Sequence, residues 1–326
     1  MRQGLLAIVV DGVEKLPEQQ RPPKDMLLEW IGVTLQNYEN VYTQYRKAIS
    51  DLATFYNSHG LKMMVLKGYA CSLDWPKPAH RPCGDIDIWQ FGEYKSADEL
   101  LSQEQAIKID NSHGHHTVFY WHDFMVENHY DFIDIHHRIS SPRLEKIFKG
   151  LGEDDSHFVD VMSTSTGLAA KVYLPSPNLH ALFLLRHMME HFASSEISLR
   201  HLLDWGFHIE KHGSEIDWAW LKGVIEEFGM TPAYNIFNGI CVDDLGFDAS
   251  LFPDVHFIPD LKDRVLADII SPSFTGAEPK AFLPRLVFKW RRWRANIWKH
   301  DICYNDSLWS AFWSSLWGHV LKPASI

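Results

Sequence analysis

Three aspartates flanked by apolar residues carry the clearest chemistry in the sequence. Asp85 and Asp87 lie two apart in the run Asp-Ile-Asp-Ile-Trp, and Asp134 stands between Ile133 and Ile135. Side chains two apart in a strand point to one face, so the first two carboxylates can share a hard divalent cation. Three convergent carboxylates suit Mg²⁺ or Mn²⁺ and favour phosphoryl or nucleotidyl transfer, in which the metal neutralises the charge of a triphosphate.

Basic and glycine residues upstream are typical of a phosphate site. The apolar run that ends in Lys67-Gly68 predicts a buried strand and a tight turn, where glycine lets backbone N–H groups approach phosphate oxygens. Arg81 precedes Asp85 by four residues and is placed to reach the same polyphosphate. The alternative is that Asp85 and Asp87 form a solvated strand face and that Arg81 pairs with one of them.

Several runs together resemble one family. They are Leu66–Gly68, Arg81–Ile88, Ile133–His136, Leu199–Trp205 and Ile216–Trp218, with His187 and His191 on a further helix. The set is similar to the uncharacterised bacterial nucleotidyltransferase family of the DNA polymerase β superfamily, over about residues 26–300. The segment from Arg81 to Asp87 is its most specific part.

The resemblance implies a mechanism and a role for each residue of the motif. Asp85 and Asp87 would bind the metal, and Asp134 would complete the triad and act as general base. The nucleotide-binding residues would be Lys67, Gly68 and Arg81. An acceptor hydroxyl would then attack the α-phosphorus of a nucleoside triphosphate such as ATP, and pyrophosphate would leave.

The first half of the chain has to position these residues. Helical spacing of apolar residues predicts a helix from about Met26 to Asn57, which His59-Gly60 ends. Short apolar or alternating runs predict strands at Lys62–Gly68, Asp85–Trp89, His116–Trp121 and Phe132–His136. The expected fold class is α+β, with a small mixed sheet flanked by helices and a mainly helical C-terminal domain.

The second half is predicted to be helical and to shape an acceptor cleft. Amphipathic patterns cover Leu179–Phe192, Leu199–Glu210, Trp218–Phe228, Leu261–Ile270 and Pro284–Trp298. The expected domains are residues 1–160, with a helical N-terminal extension, and residues 161–326. Asp204 lies in the second of these helices four residues after Arg200, so it is either an intrahelical ion-pair partner or a structural or acceptor-side residue.

The 19 histidines form several clusters. His113, His115 and His116 surround a glycine and are interpreted as a solvated hairpin tip. His136 follows Asp134 by two residues and would share its face, where it could contact a phosphate or orient the carboxylate. Both interpretations of these histidines depend on local sequence spacing alone.

A second histidine group lies in the first predicted helix of the second half. His180, His187 and His191 share one helical face, which raises the alternative of a zinc or iron site. The HExxH motif is absent. We therefore expect His187 and His191 to line the cleft or to satisfy core hydrogen bonds.

Charge and composition restrict the partners. With 31 basic and 42 acidic residues, the chain has a formal charge of −11, which argues against a dedicated nucleic-acid binder and favours a small-molecule or protein acceptor. The segment Lys289–Lys299 interleaves cations with tryptophans and is the one place where RNA could dock. The alternative is an amphipathic helix whose Trp290, Trp293 and Ile297 pack inward.

Targeting signals and cysteine spacing point to the cytoplasm. The apolar run near the N-terminus lacks a basic flank and a cleavage site, and no apolar stretch reaches the roughly 20 residues of a membrane span. The four scattered cysteines show neither a zinc-ribbon nor a disulfide pattern. We expect cytoplasmic residence without membrane association.

Two other function classes stay open at this level. One is a non-catalytic nucleotide-binding module, which would not need all three aspartates. The other is a histidine-dependent metal phosphohydrolase built on the helical half, which would hold zinc, iron or manganese tightly, whereas a transferase would bind Mg²⁺ weakly together with its triphosphate.

Overall fold

The computed structural model describes most of the chain in two compact units. It describes residues 3–135, 138, 140–194, 196–253, 259–272, 274, 279 and 281–305. The first unit comprises residues 3–180 and the second residues 181–305 of the described chain. The first unit extends beyond residue 160, where the sequence placed a domain limit, because the last two strands of the sheet lie between residues 158 and 173.

Helices at the N-terminus precede the sheet. They are α1 (Leu6–Glu14), α2 (Lys24–Thr34) and α3 (Asn40–Ser58), and a π-helical turn, Leu35–Glu39, joins the last two. The helix predicted from Met26 to Asn57 is therefore confirmed, with a π-bulge that the apolar spacing did not reveal. Gly60 follows α3 with a φ of +76°, a conformation that glycine adopts without strain.

A six-stranded mixed sheet forms the centre of the first unit. Its strands are β1 (Met64–Val65), β2 (Ile86–Trp89), β3 (His116–Trp121), β4 (Phe124–His129), β5 (Phe158–Met162) and β6 (Ala169–Tyr173). They lie in the order β3-β4-β2-β1-β6-β5. The β2–β4 and β1–β6 pairs are parallel, and the other three are antiparallel.

Three helices accompany these strands. They are α4 (Gly68–Ser72), α5 (Tyr94–Glu104) and α6 (Ser141–Leu151). The predicted α+β class, with a mixed sheet flanked by helices, is confirmed. The apolar run before Gly68 forms a strand of only two residues, and Gly68 begins α4 rather than an open turn.

The two faces of β2 have opposite character because the side chains of a strand alternate. Ile86 and Ile88 are fully buried in a core that α3 completes with Tyr45 and Leu52. The intervening Asp87 points to the other face. This alternation confirms the predicted strand at Asp85–Trp89.

A side-chain network from α5 fixes β3 and β4 on the core side of the sheet. Asp98 accepts hydrogen bonds from Thr117 Oγ1 at 2.8 Å and from Asn128 Nδ2 at 2.9 Å. Both partners are buried. Thr117 is adjacent to His116, and Asn128 lies between Glu127 and His129, so the side chains of Thr117 and Asn128 point to the opposite face of the sheet from these three residues. The network therefore holds the charged residues of β3 and β4 on the opposite face.

The segment after β4 differs from the prediction. Residues 131–133 form a bend, so the strand predicted at Phe132–His136 is not formed over its described part. Glu145 on α6 accepts the backbone N–H groups of Phe132 and Ile133, each at 3.0 Å. These two amides bond to a side chain instead of to a neighbouring strand.

In the described part of the second unit, all regular secondary structure is helical. This unit contains the part of α7 (Pro177–Ser194) from residue 181 onward, then α8 (Leu199–His212), α9 (Trp218–Glu227), α10 (Thr231–Asp243), α11 (Pro259–Ile270) and α12 (Phe282–Cys303). The predicted helical half is confirmed, and α10 is added to it.

Buried polar contacts tie these helices together. Trp205 of α8 donates from Nε1 to Asn238 of α10 at 2.7 Å. Lys299 of α12 pairs with Asp268 of α11 at 2.5 Å, and both side chains are almost fully buried. The first contact joins helices separated by α9, and the second joins consecutive helices.

The basic and aromatic segment of α12 also differs from its simplest interpretation. Trp290 and Trp293 are 55% and 45% exposed, so the expectation that both pack inward is wrong. The guanidinium of Arg294 lies 5.7 Å from the ring centre of Trp290.

Two further sequence expectations can be compared with the structure. The four cysteines are unbridged. Among the helices that the structure describes, none combines the length and the apolar character that a membrane span requires.

The Glu145 contact predicts a stability difference between two variants. Glu145→Ala should lower the free energy of unfolding by about 2–4 kcal/mol, because two buried N–H groups lose their acceptor. Glu145→Gln should lower the free energy of unfolding by less, since the amide oxygen of the glutamine can still accept one hydrogen bond. Urea denaturation of both variants measures the difference; equal losses would show that hydrogen bonding is not the cause.

Candidate functional site

The parallel pairing of β2 with β4 builds the candidate site. Its register places Asp87 opposite Glu127, and Trp89 opposite His129. Because side chains of a strand alternate, Glu127 and His129 share one face of β4 with Asp87. Asp85 lies two residues before Asp87, immediately before β2 begins at Ile86.

Asp87 is the centre of this group. It is 2% exposed, and its Oδ1 accepts from Lys67 Nζ at 2.6 Å and from His129 Nε2 at 3.2 Å. Burial alone would raise the pKa of this carboxyl, but Lys67 and His129 hold it well below its usual range. Asp87 is therefore ionised between two basic groups.

Glu127 supplies a second carboxylate from the neighbouring strand. Its Oε2 lies 3.6 Å from His129 Nε2, and its Oε1 lies 3.8 Å from His116 Nε2. Burial raises the pKa of Glu127, but the hydrogen bond from His129 and the attraction of His116 and Lys67 together outweigh that effect, so the pKa is lowered. Asp87, Glu127 and His129 offer ligand atoms within 4.8 Å of one another, which is a donor set for a divalent cation.

Asp85 differs from its neighbours because the residue is exposed. Partial burial of its carboxyl and the negative charge of Asp87 raise its pKa. Repulsion between two carboxylates is the electrostatic condition that a bound cation relieves. The three acidic residues of this face therefore fit Mg²⁺ or Mn²⁺.

The histidines of this face belong to the site rather than to a solvated tip. His116 begins β3 directly opposite His129 and is 8% exposed. Burial lowers its pKa to about 3, against the attraction of Glu127, so its imidazole is neutral. The pKa of His129 is raised, because its hydrogen bonds to Asp87 and Glu127 outweigh the effect of burial.

Gly68 has a steric role in this arrangement. Its φ is +29°, and a Cβ atom at this position would lie 2.1 Å from the hydroxyl oxygen of Tyr45. That hydroxyl donates to the backbone carbonyl of Asp85 at 2.9 Å. Glycine is needed here because the tyrosine that holds the start of β2 occupies the space of a side chain.

The remaining residues predicted in the first unit have other surroundings. Arg81 is 5% exposed and donates to the carbonyl of Pro82, so its contact with a triphosphate stays a prediction. Asp134 packs against the backbone of Gly114, where a Cβ atom would lie 2.7 Å from its Oδ2. His136 lies outside the described residues.

The second-tier residues of the helical unit lie on α7 and α8. His187 and His191 have ring centres 4.3 Å apart, and His201 of α8 lies about 6 Å from both. Asp204 is 3% exposed. Among the described residues, the groups with ligand atoms within 4.8 Å of one another include neither His187 nor His191.

Glu127 and His129 were not predicted as site residues. The sequence signal for them is weak, because Glu127, Asn128 and His129 are three consecutive polar residues, whereas Asp134 has an apolar neighbour on each side. The apolar neighbours favour the run around Asp134, although the strand that pairs with β2 is Phe124–His129.

Comparisons with known proteins give a family and one solved structure. A family model described as uncharacterised nucleotidyltransferase matches residues 1–241. The solution structure of the antibiotic-resistance factor ANT(2'')-Ia is similar with a TM-score of 0.40 and 11% identity, and the likeness covers 57% of this chain and 92% of that one. No curated protein matches the chain.

The contact between Gly68 and Tyr45 predicts a coupling between two substitutions. Gly68→Ala should cost about 1–3 kcal/mol of unfolding free energy, since the new methyl group displaces the Tyr45 hydroxyl. In a Tyr45→Phe background, which removes that hydroxyl, Gly68→Ala should lower the unfolding free energy by less. A double-mutant cycle from urea denaturation measures the coupling.

Gly84→Ala is the matched control for this cycle, since a Cβ atom there meets nothing within 4 Å. It should change the free energy by no more than about 0.5 kcal/mol. Additive effects of Gly68→Ala and Tyr45→Phe would contradict the steric account.

Proposed function

We propose that this chain, which belongs to the uncharacterised nucleotidyltransferase family, transfers a nucleoside monophosphate from a nucleoside triphosphate to an acceptor and releases pyrophosphate. Family membership makes it a nucleotidyltransferase; the leaving group, the metal and the acceptor are the proposal. The observation that carries it is the pairing of Asp87 with Glu127 across β2 and β4, beside Asp85. Together with Asp85, which immediately precedes β2, this pairing would supply three carboxylates to the cation.

Asp85, Asp87 and Glu127 would hold Mg²⁺ or Mn²⁺. Such an ion supplies charge neutralisation on the triphosphate and on the departing pyrophosphate. Glu127 would take the role predicted for Asp134, since it is the acidic residue beside Asp87 on the neighbouring strand. Its lowered pKa keeps it ionised, so it can accept a hydrogen bond from the attacking hydroxyl of the acceptor.

Lys67 and His129 position Asp87 and limit the repulsion within the acidic set. Lys67 is buried except for 16% of its side chain, and its ammonium contacts Asp87 directly. We keep Lys67, Gly68 and Arg81 as the proposed nucleotide-binding residues, because both cations lie in the segments that lead into β2. Their positive charges would attract the triphosphate.

The two competing functions have less support. A non-catalytic binding module would not require ionised Asp87 and Glu127 to face each other at a cost in electrostatic repulsion. A phosphohydrolase that used His187 and His191 would need a ligand set that includes them. The groups of close ligand atoms in the described residues include neither of the two.

The position of a radioactive label tests the reaction. Purified protein is incubated with each of the four triphosphates, Mg²⁺ or Mn²⁺, and a cell extract, in parallel reactions labelled at the α- or the γ-phosphorus. We expect the α-label on an acceptor and the γ-label in pyrophosphate. Transfer of the γ-label to an acceptor, or release of both labels without an acceptor product, would refute nucleotide transfer.

The same assay decides whether Glu127 or Asp134 is the third carboxylate of the proposed site. Glu127→Gln and Asp85→Asn should each lower transfer at least about 100-fold, because the acidic set loses a charge. Glu99→Gln, at an exposed position of α5, is the matched control and should retain activity. Loss of transfer in Asp134→Asn with activity kept in Glu127→Gln would restore the triad predicted from sequence.

A further inference from the structure

Imidazoles gather at one end of the β3–β4 hairpin, next to the carboxylate set. The ring centre of His115 lies 4.5 Å from that of His116 and 5.5 Å from that of His129, and the last two are 5.2 Å apart. The three rings offer nitrogen atoms that all lie within 4.8 Å of one another. Three converging imidazoles are a transition-metal donor set.

One of these rings carries a nitrogen whose hydrogen-bonding capacity is unused within the described protein. His116 is 92% buried, given its 8% exposure, and its Nδ1 has no hydrogen-bond partner there. Leaving a buried polar atom unpaired is destabilising, because the atom loses its hydrogen bonds to water. A ligand at this nitrogen would remove that cost.

Hydrogen bonds constrain the ring of His129 and the backbone of His115. His129 Nδ1 donates to the carbonyl of Asp131 at 3.2 Å, so the nitrogen that could bind a metal is Nε2, after it gives up its proton and its hydrogen bond to Asp87. The carbonyl of His115 accepts the N–H groups of both Tyr130 and Asp131 at 3.1 Å. The segment that carries His115 is therefore tied to the segment that follows His129.

The geometry points to a site for a borderline divalent metal such as Zn²⁺, formed by His115, His116 and His129, which lies next to the carboxylates proposed for the catalytic cation and shares His129 with their group of close ligand atoms. Imidazole nitrogens favour Zn²⁺ or Co²⁺, whereas Mg²⁺ prefers oxygen. Zn–N bonds of about 2.0–2.1 Å require nitrogens roughly 3.4 Å apart in a tetrahedron, so small side-chain shifts complete the set. Glu127, within 4 Å of two of the rings, is the nearest additional donor.

Metal binding without nucleotide tests this site independently of the transfer reaction. Untagged, chelator-treated protein is titrated with Co²⁺, whose visible absorption reports its coordination, and the bound Co²⁺ is then displaced with Zn²⁺. We expect one equivalent with an absorption typical of four- or five-coordinate nitrogen sites. His115→Ala and His116→Ala should each weaken Zn²⁺ binding at least about tenfold.

His113→Ala is the matched control, because the His113 ring stacks on His116 at 4.8 Å without belonging to the close group of ligand atoms. It should change Zn²⁺ affinity less than about threefold. X-ray absorption of the zinc-loaded wild-type protein counts the imidazole ligands and does not depend on the folding of any variant. Fewer than two imidazoles around the ion, or equal Zn²⁺ affinity in the wild type and both ligand variants, would overturn the site.

Discussion

The in-register parallel pairing of β2 with β4 is the constraint on which the candidate site depends. A slip of one residue would turn Glu127 and His129 to the apolar side of the sheet, since the side-chain period of a strand is two. Asp98 opposes such a slip from the core side by holding Asn128 and Thr117 in place. A buried carboxylate on one face thus secures the carboxylates of the other.

Charge balance is the second constraint on this face. Three acidic residues close together would repel one another, and the pKa of Asp85 is raised by burial first and by the negative charge of Asp87 second. The ammonium of Lys67 and the imidazole of His129 offset part of the negative charge by contacting Asp87. Asp85 reaches the surface, so a cation or a nucleotide can approach the group from that side.

Local pattern is sufficient for several of the elements and for two of the three proposed acidic residues. The helix before the sheet, the strand that carries Asp87 and the helical second half follow from apolar spacing, which depends on near neighbours only. Whether Glu127 or Asp134 stands beside Asp87 depends on strand pairing, and the polar run Glu127-Asn128-His129 has no alternation that would mark it as a strand. The exposure of Trp290 and Trp293 is likewise a tertiary property, because burying an aromatic face requires a partner surface that spacing does not specify.

The prediction that His116 lies in a solvated hairpin tip is wrong for a different reason. The pairing of His116 with His129 follows from the connection between β3 and β4. His122 and Asp123 are the two residues between β3 and β4, and an antiparallel hairpin with a two-residue connection pairs residues whose numbers have a constant sum. Trp121 opposite Phe124 therefore implies His116 opposite His129. A strand from 124 to 129 would have brought His116 and Glu127 into the site, but the local glycine at residue 114 suggested a hairpin tip, and the turn in fact lies eight residues later.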